Sequence, residues 1–285
     1  MRRNLTSWLM LLCASAFTSG AAFACDLRLS ARGDTTADYV ETARPCLRNL
    51  PEGYKFDTRM EERFLDKINF ERTTRGLKPL ALRRELLAPA RFHSLDMAAN
   101  QFFDHQSLDG RSPADRVTAL DRRALIQRSA ENLAMLEIVR GRYNFSKSLP
   151  RLHQNLMDSP GHRANILNPD LTHVAIGVVV TRHGVWATQV FLNLSGTLNE
   201  DVPLRMASGQ ALTARPSLGD WTFRHFEAET RDKTFAPFRR TARGAVVPDG
   251  LSGDIDLAAF SIQMGERKDM IYSIRLVGPT LTVVN

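Results

Sequence analysis

Residues 159–169 read Ser-Pro-Gly-His-Arg-Ala-Asn-Ile-Leu-Asn-Pro, a stretch that mixes polar and apolar side chains between two prolines. Ser159-Pro160-Gly161 is typical of a break between elements. Pro169 disfavours helix in the residue before it. We therefore expect a short helical turn from His162 to Leu167, in which a histidine lies close to apolar anchors.

Two other stretches share this mixture of residues: Phe102-Phe103-Asp104-His105 and Ala130-Glu131-Asn132-Leu133-Ala134. Together with His162 they supply two imidazoles and one carboxylate, each flanked by residue types that are usually buried. The three side chains could form one polar cavity. They come from separate segments, so the residues alone do not establish that they meet.

The spacing of apolar residues changes along the chain from a helical to a strand period. The predicted helices span 60–75 with an end at Gly76, about 87–103, 112–123 with Ser112 as the cap and Pro113 first, and about 150–158. Val174 to Arg182 and Val185 to Leu194 are rich in β-branched residues and flank the turn His183-Gly184, which predicts a hairpin. Helices followed by paired strands indicate an α+β layered domain.

After Glu200 short apolar stretches alternate with Gly, Pro and Asp clusters. This pattern predicts a small antiparallel β module over residues 198–285. The expected strands lie at 221–226, 245–247, 255–264, 270–277 and 281–284.

The amino end is typical of a secretory signal peptide. Arg2 and Arg3 precede an apolar run from Leu5 through Phe17, and Ala22-Phe23-Ala24 ends the segment with a small-residue cleavage pattern. We predict that residues 1–24 are removed after Ala24 and that the protein is secreted or periplasmic. No later segment has the long apolar run of a membrane span, so we expect no transmembrane segment in the mature chain.

Cys25 and Cys46 are the only cysteines after this segment, in what is then an oxidising compartment. We predict that they form a disulfide within an amino-terminal segment, residues 25–58. Lipidation of Cys25 is the alternative, although Ala22 and Phe23 are poor matches to the residues that usually precede a lipidated cysteine.

The chain carries a formal net charge of +7, to which Arg2 and Arg3 contribute. Such a charge attracts anionic envelope polymers or lipid headgroups, and it is also common on a plain solvated surface. No stacked-aromatic or basic-helix motif indicates a nucleic-acid partner.

Short motifs follow one another in a characteristic order between Phe64 and Phe191. They are Ile68-Asn69, Arg72, Gly76-Leu77, Pro79-Leu80, Ala90, His93, Asp96 to Ala98, Phe103 to His105, Asp109 to Pro113, Asp115-Arg116, Glu131 to Ala134, Ser159 to Pro169 and Trp186 to Phe191. In this order they resemble the CAP superfamily of cysteine-rich secretory proteins, venom antigen 5 and plant pathogenesis-related proteins, and its bacterial secreted branch in particular.

The resemblance implies an α-β-α sandwich, which we assign to residues 59–197, with a central cavity lined by His105, Glu131 and His162. Three positions depart from the family pattern: Ala130 replaces a common glycine, Leu156 a frequent tryptophan, and Trp186 a histidine that lines the cavity in many eukaryotic members. The implied site is therefore smaller than the eukaryotic one. The module after Glu200 lies outside the resemblance.

His105, Glu131 and His162 are also a ligand set for zinc or another divalent metal with an open fourth position. A hydrogen bond between histidine and glutamate would satisfy the same atoms without an ion. His93 either lines the cavity or is a satisfied core histidine, and Asn132 is expected beside it as a backbone anchor.

Five other polar residues are not assigned to the site. His153, His173 and His183 lack apolar anchors, so we expect them at the surface or in turns. Ser107 and Ser159 lie near site histidines in sequence, but neither has a Gly-x-Ser-x-Gly elbow, so we predict no catalytic residue.

The sequence therefore favours an exported, non-enzymatic protein whose His/Glu cavity binds a lipid, sterol, peptide or divalent metal. One alternative is a metal-assisted hydrolase of envelope peptides or esters. Another is a structural module that contacts the envelope.

Overall fold

The computed structural model describes Cys25, Leu27 and residues 34–138, 143–265 and 270–284, so the predicted signal peptide lies outside the described residues. The helices are α1 (Thr36–Arg48), α2 (Thr58–Thr73), α3 (Leu87–Asn100), α4 (Pro113–Leu120), α5 (Phe145–Asp158) and α6 (Pro160–Ile166), with a 3-10 turn at Arg84–Leu86. The strands are β1 (Lys55–Phe56), β2 (Ala81–Leu82), β3 (Ala124–Glu137), β4 (His173–Val180), β5 (Gly184–Leu198), β6 (Arg205–Ala207), β7 (Ala211–Leu212), β8 (Pro216–Ser217), β9 (Thr222–Glu229), β10 (Phe235–Pro237), β11 (Arg239–Thr241), β12 (Gly244–Val246), β13 (Gly253–Met264) and β14 (Ile271–Val284).

A sheet with helices on both faces forms the first half of the molecule. Successive side chains of a strand point to opposite faces, and β4 is buried on both. Val174, Ile176 and Val178 pack in one core with α2, α5 and α6. Ala175 and Val179 face the opposite side, where α3, α4 and α1 lie. This arrangement is the expected α-β-α sandwich.

The main sheet has the strand order β1-β4-β5-β3-β14-β13-β9-β10. The predicted hairpin is confirmed as β4 and β5, which pair from His173 with Leu192 to Val180 with Val185. β14 joins β3 through the pair Val277 and Ile126, so the sheet continues from the sandwich into the carboxyl-terminal strands. β7, β11 and β12 form a separate small sheet.

Local signals explain most helix boundaries. At α4 the Ser112 Oγ accepts a hydrogen bond from the Asp115 N–H and the Asp115 carboxylate accepts one from the Ser112 N–H, which is the predicted cap in its reciprocal form. Gly76 follows α2 with φ +75°, a conformation that favours glycine. α5 begins at Phe145, earlier than predicted, because the Asn144 side chain caps it ahead of Pro150.

Besides several strands of two or three residues, two long elements were not predicted. α1 begins at a capping box formed by Thr35 and Asp38. β3 carries Glu131 and Asn132 in its middle and lacks a regular alternation of apolar and polar residues, because helices cover both of its faces.

The predicted disulfide joins Cys25 to Cys46 of α1. It fixes the start of the described chain to a helix whose Tyr39 ring packs edge-on against Phe92 of α3, with 5.5 Å between ring centroids. With its Sγ in this bond, Cys25 has no thiol left for lipidation.

The carboxyl-terminal strands enclose a core of their own, which includes Phe226, Phe238, Leu257 and Leu276. Arg122 connects this core to the sandwich. Its buried guanidinium donates to the carbonyl oxygens of Val202 at 3.0 Å, Pro203 at 3.0 Å and Thr280 at 2.5 Å, and also to those of Thr118 and Ala119 in α4.

Candidate functional site

The centre of the candidate site is a hydrogen-bonded pair of side chains, His105 and Glu131. His105 Nδ1 donates to Glu131 Oε1 at 2.9 Å. The imidazole side chain is 50% exposed, whereas the carboxylate is 2% exposed. The loop after α3 supplies the histidine and β3 supplies the glutamate. The buried Glu131 carboxylate therefore holds one ring nitrogen of an imidazole whose other edge is open to solvent.

Arg116 of α4 contacts both the Glu131 carboxylate and the loop that carries His105. Its Nη2 donates to Glu131 Oε2 at 2.7 Å, and its Nη1 donates to the carbonyl oxygen of His105 at 2.8 Å and to Ser107 Oγ at 3.0 Å. The guanidinium is buried, so the ion pair compensates two charges that would otherwise be costly to desolvate. Arg116 thus orients both the carboxylate and the loop that carries the imidazole.

An amide network connects this pair to His162. Asn132 Nδ2 donates to the His162 carbonyl oxygen at 3.1 Å and to Gln189 Oε1 on β5 at 3.1 Å. Asn165 Nδ2 donates in turn to Asn132 Oδ1 at 2.9 Å. Asn132 is fully buried, and its side chain holds α6 against β3. The structure therefore brings the His162 segment next to Glu131.

His93 of α3 packs against the backbone of the loop that carries His105. Its ring is fully buried, Nε2 donates to the carbonyl oxygen of Asp104 at 2.9 Å, and Phe102 packs edge-on against it at 5.9 Å between centroids. Nδ1 has no hydrogen-bond partner among the described residues. His93 supports the backbone next to His105 and has no access to solvent.

Burial and neighbouring groups shift the pKa values of His105, Glu131 and His162. The hydrogen bond to Glu131 raises the pKa of His105 above its usual 6.5. Burial alone would raise the pKa of Glu131, but the bond from His105 and the charge of Arg116 together lower it. Burial lowers the pKa of His162, and the charge of His105 lowers it further.

The donor atoms do not fit a metal ion in this arrangement. Both carboxylate oxygens of Glu131 already accept hydrogen bonds, from His105 and from Arg116. A divalent cation would face the permanent positive charge of Arg116 at the same carboxylate, which opposes its binding. Within the part of the chain that the structure describes, no group of three or more His, Cys, Asp or Glu residues could hold a metal.

A cavity of about 870 Å³ lies next to the loop that carries His105. Phe102, Phe103, Met135 and Trp186 give it apolar walls, and Trp186 lies opposite Met135 across β5 and β3. His105, Glu131 and His162 do not line it. Trp186 therefore lines this apolar cavity and is not part of the polar site formed by His105 and Glu131.

The three remaining sandwich histidines have different environments. His183 is exposed in the hairpin turn, as predicted, and His173 is half-buried. The prediction for His153 was wrong: it is 5% exposed and packs beside Phe64 within the core of α2 and α5. The helical register of α5, which extends further than predicted, turns this side chain inward.

Sequence reasoning did not assign Arg116 to the site. Asp115 and Arg116 were interpreted as structural residues within a motif, and nothing local shows that the arginine reaches Glu131 fifteen residues further on.

Residues 65–191 match the model of the Cysteine-rich secretory protein family, CAP, and this part of the chain is a CAP domain. Among similar proteins of Bacillus subtilis (strain 168), the uncharacterized protein YkwD is 33% identical over 129 residues, which are 45% of this chain and 46% of YkwD. The uncharacterized membrane protein YlbC is 32% identical over 124 residues, 44% of this chain and 33% of YlbC. The matches thus span less than half of either relative.

Two solved structures are also similar. An extracellular protein containing a SCP domain from Bacillus anthracis is 27% identical, with a TM-score of 0.40 over 47% of this chain and 40% of that one. An outer surface protein of Borrelia burgdorferi is 18% identical, with a TM-score of 0.41 over 48% of this chain and 93% of that one. Among the described helices, none has the length and hydropathy needed to cross a membrane.

Proposed function

We propose that the protein is exported and binds a small ligand, a lipid or a peptide with a polar end, at the exposed imidazole of His105. The hydrogen bond between His105 and Glu131 carries this proposal. Because Nδ1 is held by a buried carboxylate, Nε2 is left to accept or donate a hydrogen bond at the surface.

The contacts that hold the His105 ring in place favour ligand binding. Arg116 holds both Glu131 and the His105 backbone, so the imidazole is already ordered before a ligand arrives. Less conformational freedom then has to be lost on association. Phe103, two residues before His105, contributes apolar surface to the neighbouring cavity, so a ligand with a polar and an apolar part suits this region.

Export is supported by the amino-terminal sequence and by the disulfide, a bond that persists in oxidising compartments. Expression of the full chain in a bacterium tests it. We expect the protein in the periplasm or medium with Cys25 as its first residue, measured by mass spectrometry. An uncleaved cytoplasmic product would contradict export.

Ligand binding is tested with three probes, palmitate, cholesterol and tetra-alanine, by calorimetry on the mature protein. We expect at least one probe to bind, and His105→Ala to weaken it on the order of 10-fold or more, because a hydrogen bond to a charged or polarised group contributes about 1.5–3 kcal/mol. His173→Ala, the matched control on β4, should bind as wild type does. The proposal fails if wild type binds none of the probes or if His105→Ala leaves the affinity unchanged.

Hydrolysis is a second candidate, favoured by one observation. An imidazole with a raised pKa that is oriented by a carboxylate is the arrangement of a general base. Ser107 Oγ is buried and accepts from Arg116, so water would have to be the nucleophile. Turnover of p-nitrophenyl acetate and of tetra-alanine by wild type, lost in His105→Ala and kept in His173→Ala, would support it. Rates equal to those in buffer would eliminate it for these substrates.

A further inference from the structure

Four arginines line a cavity of about 900 Å³ in the carboxyl-terminal strands. We call the region formed by Arg215, Arg224, Arg240 and Arg243 the arginine pocket. No Asp or Glu is among its lining residues. Its inner wall is apolar and includes Phe223, Phe226 and Phe238.

The four guanidinium groups have no ion-pair or hydrogen-bond partner in the described residues, and all four residues are exposed. Two other arginines of the carboxyl-terminal strands are paired. Arg205 bonds to Asp38 and Glu41, and Arg275 bonds to Glu227. Unpaired cations around a concave surface produce a positive potential that attracts anions.

A second feature lies at the hairpin of β13 and β14. Met264, Met270, Ile271 and Tyr272, which we call the hairpin tip, are 39–61% exposed. The Gly265 N–H donates to the Met270 carbonyl oxygen at 2.8 Å, so the two strands remain paired one residue beyond the ends of β13 and β14. Met264 and Ile271 are a register pair and share one face of the hairpin, whereas Tyr272 lies on the other face. Neighbouring exposed apolar side chains of this size are typical of an interaction site.

Strand register places the two features at the same end of the sheet. Thr222, the first residue of β9, pairs with Ile262 of β13, and Phe223 pairs with Ser261. Met264 lies two residues beyond Ile262 and pairs with Ile271. Phe223 is the first residue of β9 that lines the arginine pocket, and Met264 lies three residues beyond its partner Ser261. At about 3.3 Å per residue, the hairpin tip therefore lies roughly 10 Å along the strand from this level.

We propose that this end of the carboxyl-terminal sheet docks on a membrane surface rich in anionic phospholipid. Arginine binds phosphate oxygens with its planar fork of donors, and the pocket leaves four such groups without internal partners. Methionine, isoleucine and tyrosine next to them match the apolar layer below the headgroups, where tyrosine is enriched. A purely polyanionic partner would account for the arginines and leave the exposed hairpin tip without a role. The proposal does not depend on the His105 ligand.

The test is sedimentation of the mature protein with vesicles of phosphatidylcholine, with and without phosphatidylglycerol. We expect binding only with phosphatidylglycerol, and weaker binding at high salt. The double variant Arg240→Gln/Arg243→Gln should lower the affinity on the order of 10- to 30-fold, since each arginine near an anionic surface contributes about fivefold. Ile271→Ser should also weaken binding, because it removes an apolar side chain that would enter the interface.

Matched controls separate the site from general charge and apolarity. Arg63→Gln/Arg84→Gln removes the same charge from exposed positions of the CAP domain, and Phe70→Ser removes a side chain as exposed as Ile271. Both should bind as wild type does. The proposal is overturned if phosphatidylglycerol vesicles are not bound, or if the controls lose as much affinity as the site variants. It is also overturned if heparin or a second copy of the chain occupies the surface while the vesicles do not bind.

Discussion

At the scale of single residues, Glu131 is the one on which the candidate site depends. It accepts hydrogen bonds from His105 and Arg116, and its strand neighbour Asn132 holds the His162 segment. Removing its charge should therefore change both the site and the stability of the domain.

We expect Glu131→Gln to lower the free energy of unfolding by about 3 kcal/mol at neutral pH, because the buried guanidinium of Arg116 loses its counter-charge. The pKa of His105 should fall at the same time, since the hydrogen bond that raises it is weakened. Urea denaturation and an NMR titration of the His105 ring measure the two effects. Glu137→Gln, at the exposed end of β3, is the control and should change neither. A stable variant with an unchanged His105 titration would contradict the coupling.

His93 should make the protein sensitive to mild acid. Burial lowers its pKa from 6.5 to about 4. The unfolded chain then binds a proton before the folded protein does, so the stability is fully present above pH 6.5 and is lost as the pH falls towards 4. By pH 4.5 the loss from this group should be about 2–3 kcal/mol.

The check is urea denaturation at pH 7.5 and 4.5. His93→Gln should show a smaller loss of stability between the two pH values than wild type, whereas the exposed His183→Gln should lose as much as wild type. Equal losses in all three proteins would show that His93 is not a source of the acid sensitivity.

Several residues of the site could be identified from the sequence. His105, Glu131 and His162 were identified because each is a polar residue in an otherwise apolar stretch, and the family pattern implied that they meet. Arg116 and the inward position of His153 could not be identified, because each depends on which way a helix is turned against its neighbours.

At the scale of elements, the contact between α3 and β4 positions the loop that carries His105. Gly177 makes this contact possible. A Cβ at this position would lie 2.2 Å from the Arg91 nitrogen and 2.3 Å from the Ala90 carbonyl carbon, both of the α3 backbone. Backbone atoms cannot move aside as a flexible side chain can.

We expect Gly177→Ala to lower the free energy of unfolding by about 3 kcal/mol, because α3 must move away from the sheet. Gly161→Ala is the matched control: no atom lies within 4 Å of its added Cβ, and it should remain within about 1 kcal/mol of wild type. Thermal and urea denaturation measure both. If the two variants were equally stable, α3 and β4 would not be packed as closely as described.

Elements with a local signal were predicted well. The cap at Ser112, the glycine after α2 and the β-branched hairpin all determine structure through neighbouring residues. β3 was missed because its burial comes from helices on both faces and from distant strands, and no alternating pattern remains in its sequence.

At the scale of the whole molecule, Arg122 connects the CAP domain to the carboxyl-terminal strands. Its guanidinium donates to five backbone carbonyl oxygens, in α4, in residues 202–203 and at Thr280. Burial lowers its pKa to about 10, so it remains charged at neutral pH. Together with the pairing of β14 and β3, it makes the two parts a continuous structure.

We expect Arg122→Gln to cost about 3 kcal/mol, because several buried carbonyl groups lose their donor. The exposed Arg128→Gln should cost no more than about 0.5 kcal/mol. Limited proteolysis and calorimetry of the mature protein measure the effect, and cleavage should increase in residues 198–285. Protease resistance and a melting temperature equal to those of wild type would show that the connection does not depend on Arg122.

By itself the sequence determined the cysteine pair, the α+β class and the CAP pattern, and it predicted an export signal and three residues of the candidate site. Each of these depends on short-range patterns, residue types or motif order. Only the tertiary structure decided that Arg116 occupies the far side of Glu131, that the main sheet runs into the carboxyl-terminal strands, and that four arginines lie near an apolar hairpin tip. These features depend on contacts between residues far apart in the chain, which are set by packing and strand register.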